Sequence, residues 1–185
     1  MPRIGVIVGS IAKNSINRKV AQALPSLAPE GTEFVTLDLS QLPLYSPDLD
    51  ADYPAEALAW KQGIESVDGV IIVTPEYSRS IPGVLKNALD WASRPWGTNS
   101  FAGRPVAIMG ASPGNVGTAI AQQHLRGILA HFNAPTLGQP ETFLQFRAGD
   151  FGDNGEVLNE STRAVLEGFV HAAVAHIERH SLVAA

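Results

Sequence analysis

The run Val6-Ile7-Val8-Gly9-Ser10-Ile11-Ala12-Lys13-Asn14-Ser15-Ile16-Asn17 passes from apolar residues into a stretch dense in hydroxyl and amide side chains. A strand that feeds a helix through such a loop makes a cup for an anion. The first-turn N–H groups of the helix lack intrahelical partners, and the helix dipole favours negative charge beside them. Ser10, Ser15 and Asn17 can close the cup. The loop carries little positive charge, so it suits a terminal monophosphate better than a triphosphate with magnesium. It lacks both the Gly-x-x-x-x-Gly-Lys-Ser/Thr and the Gly-x-Gly-x-x-Gly patterns. A nucleotide held by one phosphate fits, with flavin mononucleotide (FMN) as the leading candidate. The competing reading is plain helix capping by Asn14 or Ser15.

Two further segments carry the chemistry that such a ligand needs. Thr74-Pro75-Glu76-Tyr77-Ser78-Arg79-Ser80-Ile81-Pro82-Gly83 follows a strongly apolar run. Its prolines stiffen the backbone, which suits a flat ring and its polar edge. Gly110-Ala111-Ser112-Pro113-Gly114-Asn115-Val116-Gly117 is rich in glycine, which permits close backbone approach to a ligand. Either segment alone also reads as an ordinary turn. His176 and His180 have the spacing of a helical metal pair, but no further ligand accompanies them, and no metal is expected. There is no Gly-x-Ser-x-Gly nucleophile elbow.

The elements that must position these loops alternate along the chain. Apolar runs at residues 3–9, 33–38, 69–74, 105–110 and 136–144 read as strands covered on both faces. Helical spacing links Ile16, Val20, Leu24 and Leu27, and then Ala57, Trp60, Ile64 and Val67. It links Val84, Leu85, Ala88 and Leu89 behind Pro82, then Ala121, Leu125, Ile128, Leu129 and Phe132. A last series holds Leu166, Phe169, Val170, Ala173, Val174 and Ile177. Strand–helix alternation predicts a parallel, doubly wound α/β sheet with right-handed crossovers. Ligands then sit beyond the carboxyl ends of the strands, where strand order reverses. Two long connections, 39–54 and 93–104, read equally as lids, interface segments or solvated links.

Composition narrows the classes. The 185 residues suit one domain over 1–185. A net charge of −5 argues against nucleic acid. No apolar run is long enough to span a membrane, and the amino end makes a poor signal peptide, so a cytoplasmic protein is expected. The sequence has no cysteine, which removes thiolate and dithiol chemistry. Redox work would need a cofactor to carry the electrons.

The three loops resemble those of the NADPH-dependent FMN reductase family of flavodoxin-like proteins. Gly9-Ser10-x-x-x-x-Ser15-x-Asn17 resembles its phosphate loop. The segment from Pro75 through Asn87-Ala88-Leu89-Asp90-Trp91 resembles its long second motif, and Phe101-Ala102-Gly103-Arg104-Pro105 through Gly114 its fourth strand and following loop. Two positions depart from the pattern: Ala12 stands where arginine is common, and Ser78 where asparagine is usual. The resemblance implies a three-layer sandwich around a five-stranded parallel sheet of order 2-1-3-4-5. It implies bound FMN, with Ser10, Lys13, Ser15, Ile16 and Asn17 around the phosphate. Pro75, Glu76, Tyr77 and Ser78 would lie along the ring, with Ser112 and Gly114 by its pyrimidine side. Arg79 is the candidate for the phosphates of NADPH or NADH. The implied activity is hydride transfer from the dinucleotide through FMN to free flavin, a quinone, an azo dye or chromate, in two half-reactions. An electron carrier or a non-catalytic binding module of the same fold is the alternative. The implied assembly is a homodimer or homotetramer. Candidate contacts are the 39–54 connection and the helix carrying Gln123, His124 and Arg126.

Overall fold

The computed structural model describes residues 1–152 and 155–181. Five parallel strands form one sheet in the order β2-β1-β3-β4-β5. They are β1 (Arg3–Val8), β2 (Glu33–Thr36), β3 (Gly69–Val73), β4 (Val106–Ser112) and β5 (Thr142–Gln145). The helices are α1 (Ile16–Leu27), α2 (Ala55–Glu65), α3 (Gly83–Ser93), α4 (Ala119–His131) and α5 (Glu160–Ser181). Alternation along each strand sends side chains to opposite faces. Ile71 and Val73 of β3 pack with Val20, Leu24, Phe169 and Val170 of α1 and α5. Val70 and Ile72 pack with Ile64, Leu85, Leu89 and Leu125 of α2, α3 and α4. All of β3 is buried, as its unbroken apolar run requires. At about 2 kcal/mol per fully buried branched side chain, this strand belongs at the sheet's centre.

Two strands are shorter than their apolar runs. Pairing along β2 stops soon after Leu37, whose N–H reaches Val6 O at 2.9 Å, because the Asp38 carboxylate then takes the N–H and hydroxyl of Ser40. The last run, 136–144, splits. Thr136 bridges Val106, while regular pairing resumes only with Thr142 opposite Met109. Gly138 and Pro140 lie between; glycine weakens a strand, and proline offers no N–H to its neighbour.

Both long connections are tied down. Pro43 O accepts from Asn87 Nδ2 and Trp91 Nε1 at 2.8 and 2.7 Å, and Asn87 Oδ1 accepts the N–H of Tyr45. Tyr45 and Tyr53 meet the Trp91 ring edge-on at 5.1 and 5.0 Å. Lys61, itself buried, donates to Ala92 O and Thr98 O and so fastens the second connection to the end of α3. Burial lowers the pKa of this ammonium, while nearby Glu65 raises it.

His176 anchors α5 to the segment before β5, its Nε2 lying 3.0 Å from Pro135 O. Burial holds the imidazole below its ordinary pKa; the bond to Pro135 opposes that shift, and His180 and Arg179 add to it. Unfolded, the ring protonates near pH 6.5. Folded, it resists until lower pH, so the unfolded chain binds the extra proton first and stability falls as pH drops below about 6.5. His176→Gln keeps a donor for Pro135 and removes the titration. We expect the stability difference between wild type and His176→Gln, read from urea midpoints, to shrink on going from pH 7.5 to below about 6.5. A difference independent of pH would contradict this account of His176.

Candidate functional site

The strand order reverses between β1 and β3, and the loops after β1, β3 and β4 converge at that edge. They enclose a cavity of about 230 Å³. Its walls are Ser10, Ser15, Ile16 and Asn17 from the first loop and helix, Pro75, Glu76 and Tyr77 from the second, and Ala111, Ser112 and Pro113 from the third. Ala12 and Asn14 complete the rim. Lys13, Ser78, Arg79 and Gly114 lie outside these walls.

At the first loop, Ser15 caps α1, its Oγ accepting the N–H of Arg18 at 3.2 Å. Ser10 is buried and its Oγ accepts the N–H of Ala12. Among the described residues, no acceptor meets the N–H groups of Ile11, Lys13, Asn14, Ile16 or Asn17. Unpaired amides around a helix start form a concave anion site. The Asn17 side chain also has a structural task. It is 1% exposed and exchanges two hydrogen bonds of 2.9 Å with the N–H and O of Ala111. Its amide therefore joins the first loop to the third, and its main-chain N–H and second Nδ2 hydrogen are left for a ligand.

The second loop is held from α4. Thr118, at the cap position of that helix, makes no side-chain capping bond. Glu76 does the work instead: its Oε2 accepts the N–H groups of Ile120 and Ala121 at 3.1 and 3.0 Å. A carboxylate on a helix N-terminus is stabilised by about 0.5–2 kcal/mol. His124 adds a bond of 3.0 Å to Ser80 Oγ. The tip is a two-residue turn between Tyr77 and Ser80, with φ of 50° at Ser78 and 63° at Arg79. Left-handed backbone is costly for both residues. The asparagine usual at position 78 tolerates it better than serine. Arg79 is largely exposed and reaches Glu76 Oε1 at only 3.4 Å. The Tyr77 ring, 52% exposed, flanks the cavity.

In the third loop, Ser112 Oγ accepts the N–H of Gly114 at 3.1 Å, leaving its own O–H to donate. The close approach at Gly110 is to protein. A side chain there would meet Thr74 O and Thr118 Oγ1, so this glycine lets β4 pass the second loop and the start of α4.

Two contributors were invisible as motif members: Arg18 and His124. Arg18 left a trace in the sequence. A cation in the first turn of a helix opposes the dipole, and α1 has no acidic residue there to offset it.

Comparisons with known proteins identify the family. The model of the NADPH-dependent FMN reductase family matches residues 2–148. A 2-hydroxy-1,4-benzoquinone reductase of a Burkholderia species is 50% identical over 168 residues, 91% of this chain and 92% of that one. A quinone reductase of Escherichia coli K12 is 38% identical over 96% of each chain. Among solved structures, a flavoenzyme NAD(P)H:(acceptor) oxidoreductase of Paracoccus denitrificans superposes with a TM-score of 0.93 at 43% identity, covering 97% of this chain and 99% of that one. The flavodoxin-like fold is thereby shown. This chain belongs to the NADPH-dependent FMN reductase family and is an oxidoreductase that works through FMN with a nicotinamide dinucleotide as donor.

Proposed function

We propose that the chain is a quinone reductase whose FMN phosphate sits in the β1–α1 cup, and that it works as a homo-oligomer in the cytoplasm. The observation that carries the placement is the set of unpaired N–H groups at Ile11, Lys13, Asn14, Ile16 and Asn17, around a cavity that also reaches the second and third loops. Five donors and a helix N-terminus fit a phosphate monoester. When bound, FMN supplies hydride acceptance and two-electron release.

The chain's residues supply position and polarity. Ser10, Ser15 and the amides of Ile16 and Asn17 hold the phosphate, and Lys13 adds a nearby charge. The backbone of Pro75, Glu76, Tyr77 and Ser78 lies along the ring, with the Glu76 carboxylate fixing that backbone against α4. The Ser112 hydroxyl and Gly114 lie by the polar edge, where fixed donors stabilise added negative charge. Arg79 is bound by one long, exposed ion pair worth at most about 1 kcal/mol. It can leave Glu76 for the phosphates of NADPH or NADH. The same open face, flanked by Tyr77, then takes a flat quinone once the nicotinamide has left. No side chain is required as an obligate acid or base.

Oligomerisation is supported by α3 and α4. A groove of about 520 Å³ runs between them, lined by Lys86, Asp90, His124 and His131. Gly127 faces it on α4 with nothing within 4 Å of where a side chain would start. Glycine inside a helix costs about 0.5–1 kcal/mol relative to alanine. A second copy packed against Gly127 accounts for that cost. Leu44 and Trp96, 84% and 81% exposed, offer apolar surface on the long connections.

Two experiments test the reading. Ser15→Asp keeps a good helix cap and puts a carboxylate in the cup. We expect this variant to fold with wild-type circular dichroism and to lose FMN; stoichiometric flavin in it would overturn the placement. Steady-state rates with NADPH and a para-benzoquinone should give parallel double-reciprocal lines, the pattern of two half-reactions. Fast NADPH oxidation with free FMN but none with quinones would overturn the choice of acceptor.

A further inference from the structure

The backbone of the β1–α1 loop is polarised, and one side chain accounts for it. The guanidinium of Arg18 donates to three carbonyls of that loop: to Ala12 O at 2.9 Å, Lys13 O at 3.3 Å and Ser10 O at 3.4 Å. In a trans peptide the N–H points opposite to the C=O of the same plane. With the carbonyls of Ser10, Ala12 and Lys13 drawn to Arg18, the N–H groups of Ile11, Lys13 and Asn14 face the other way. Those are three of the amides that, among the described residues, lack an acceptor.

The guanidinium lies behind the loop. Arg18 lines a separate groove of about 650 Å³ between α1 and β2, along with Gln22, Thr36 and Asp38. It is absent from the walls of the 230 Å³ cavity, and Ser10 is shared by both. Direct contact with a phosphate would mean giving up the carbonyls. Placement in the first turn of α1 works against the helix dipole, and no acidic side chain of that turn compensates. Its three carbonyl bonds offset that disadvantage.

Resting on the cup as the phosphate site, the geometry points to Arg18 as the positioning residue that organises this anion site from behind: it pins three carbonyls away from the ligand and so presents three amides to the phosphate. The fork of guanidinium donors matches carbonyls spread over several residues; a lysine ammonium offers fewer donors from one point. The positive charge also lies close behind the amides and deepens their field. The loop's own cation, Lys13, is exposed and has no such set of contacts.

A positioning role predicts an effect specific to the phosphate. Riboflavin shares the ring and lacks the phosphate, so it reports the rest of the site. Apoprotein titrated with each ligand by flavin fluorescence gives the ratio of the two dissociation constants. Wild type should bind FMN more tightly than riboflavin. Arg18→Met should reduce that preference by about tenfold or more, the scale of one charge-assisted hydrogen bond, with riboflavin affinity nearly unchanged. Arg18→Lys, which keeps the charge and part of the donor set, should recover part of the preference and serves if the methionine variant does not fold. An undiminished preference in Arg18→Met, or equal weakening of both ligands, would overturn the proposal while leaving the cup in place. A wild-type protein without preference for FMN would overturn both.

Discussion

The amide of Asn17 is where the site and the sheet become one object. Burying that side chain unpaired would cost about 1–3 kcal/mol. Paired with both backbone groups of Ala111, it continues the sheet's hydrogen bonding through a side chain. The start of α1 thereby has a fixed distance from the end of β4, although neither strand order nor chain connectivity makes them neighbours. Ala111 in turn precedes Ser112, so the cup and the third loop share one reference point. The second loop has an equivalent tie through Glu76 to the first turn of α4. Each tie uses a group that would be costly to leave unpaired, and this holds loops in place that have few apolar contacts of their own.

The same ties explain what the sequence could and could not tell. Strand and helix positions were legible because burial on both faces leaves an unbroken apolar run such as Val70-Ile71-Ile72-Val73, and burial on one face leaves helical spacing. The 136–144 run misled in its middle, where Gly138 and Pro140 interrupt pairing that the flanking residues retain. The three loops were legible as polar, glycine-bearing segments at strand ends. Which atoms were still free was not. Asn17 looks like a phosphate ligand by type and spacing, and nothing in the sequence signals that its Oδ1 and one Nδ2 hydrogen are bonded 94 residues away. Glu76 looks like a ring contact, yet its carboxylate caps a helix. Residue type sets what a group can bond, and only the tertiary structure sets what it has already bonded.

Strain at the tip of the second loop belongs to the same picture. Ser78 and Arg79 both sit in left-handed backbone, a cost of order 1 kcal/mol each. Such a turn persists when its surroundings over-determine it. Here the Tyr77 and Ser80 main chains pair with each other, Glu76 is anchored on one side and His124 meets Ser80 on the other. The outcome is a rigid tip carrying an exposed arginine next to an open aromatic face. A loop free to relax would hold the same residues without fixing their direction.

The net charge of −5 raises the question of how an acidic protein retains an anionic ligand. Distance decides it. At physiological ionic strength charges are screened over about 8 Å, so scattered surface carboxylates contribute little at the cup. Amides in hydrogen-bond contact act at about 3 Å, and the helix end adds the equivalent of roughly half a positive charge. The local term therefore outweighs the global one, with one arginine behind the loop and no cluster of cations in front of it. Such a site gains little from long-range steering, which needs a field extending into solvent. On the proposed placement, its discrimination would come instead from whether three oxygens reach the amides together, a condition that a phosphate monoester meets and a carboxylate does not.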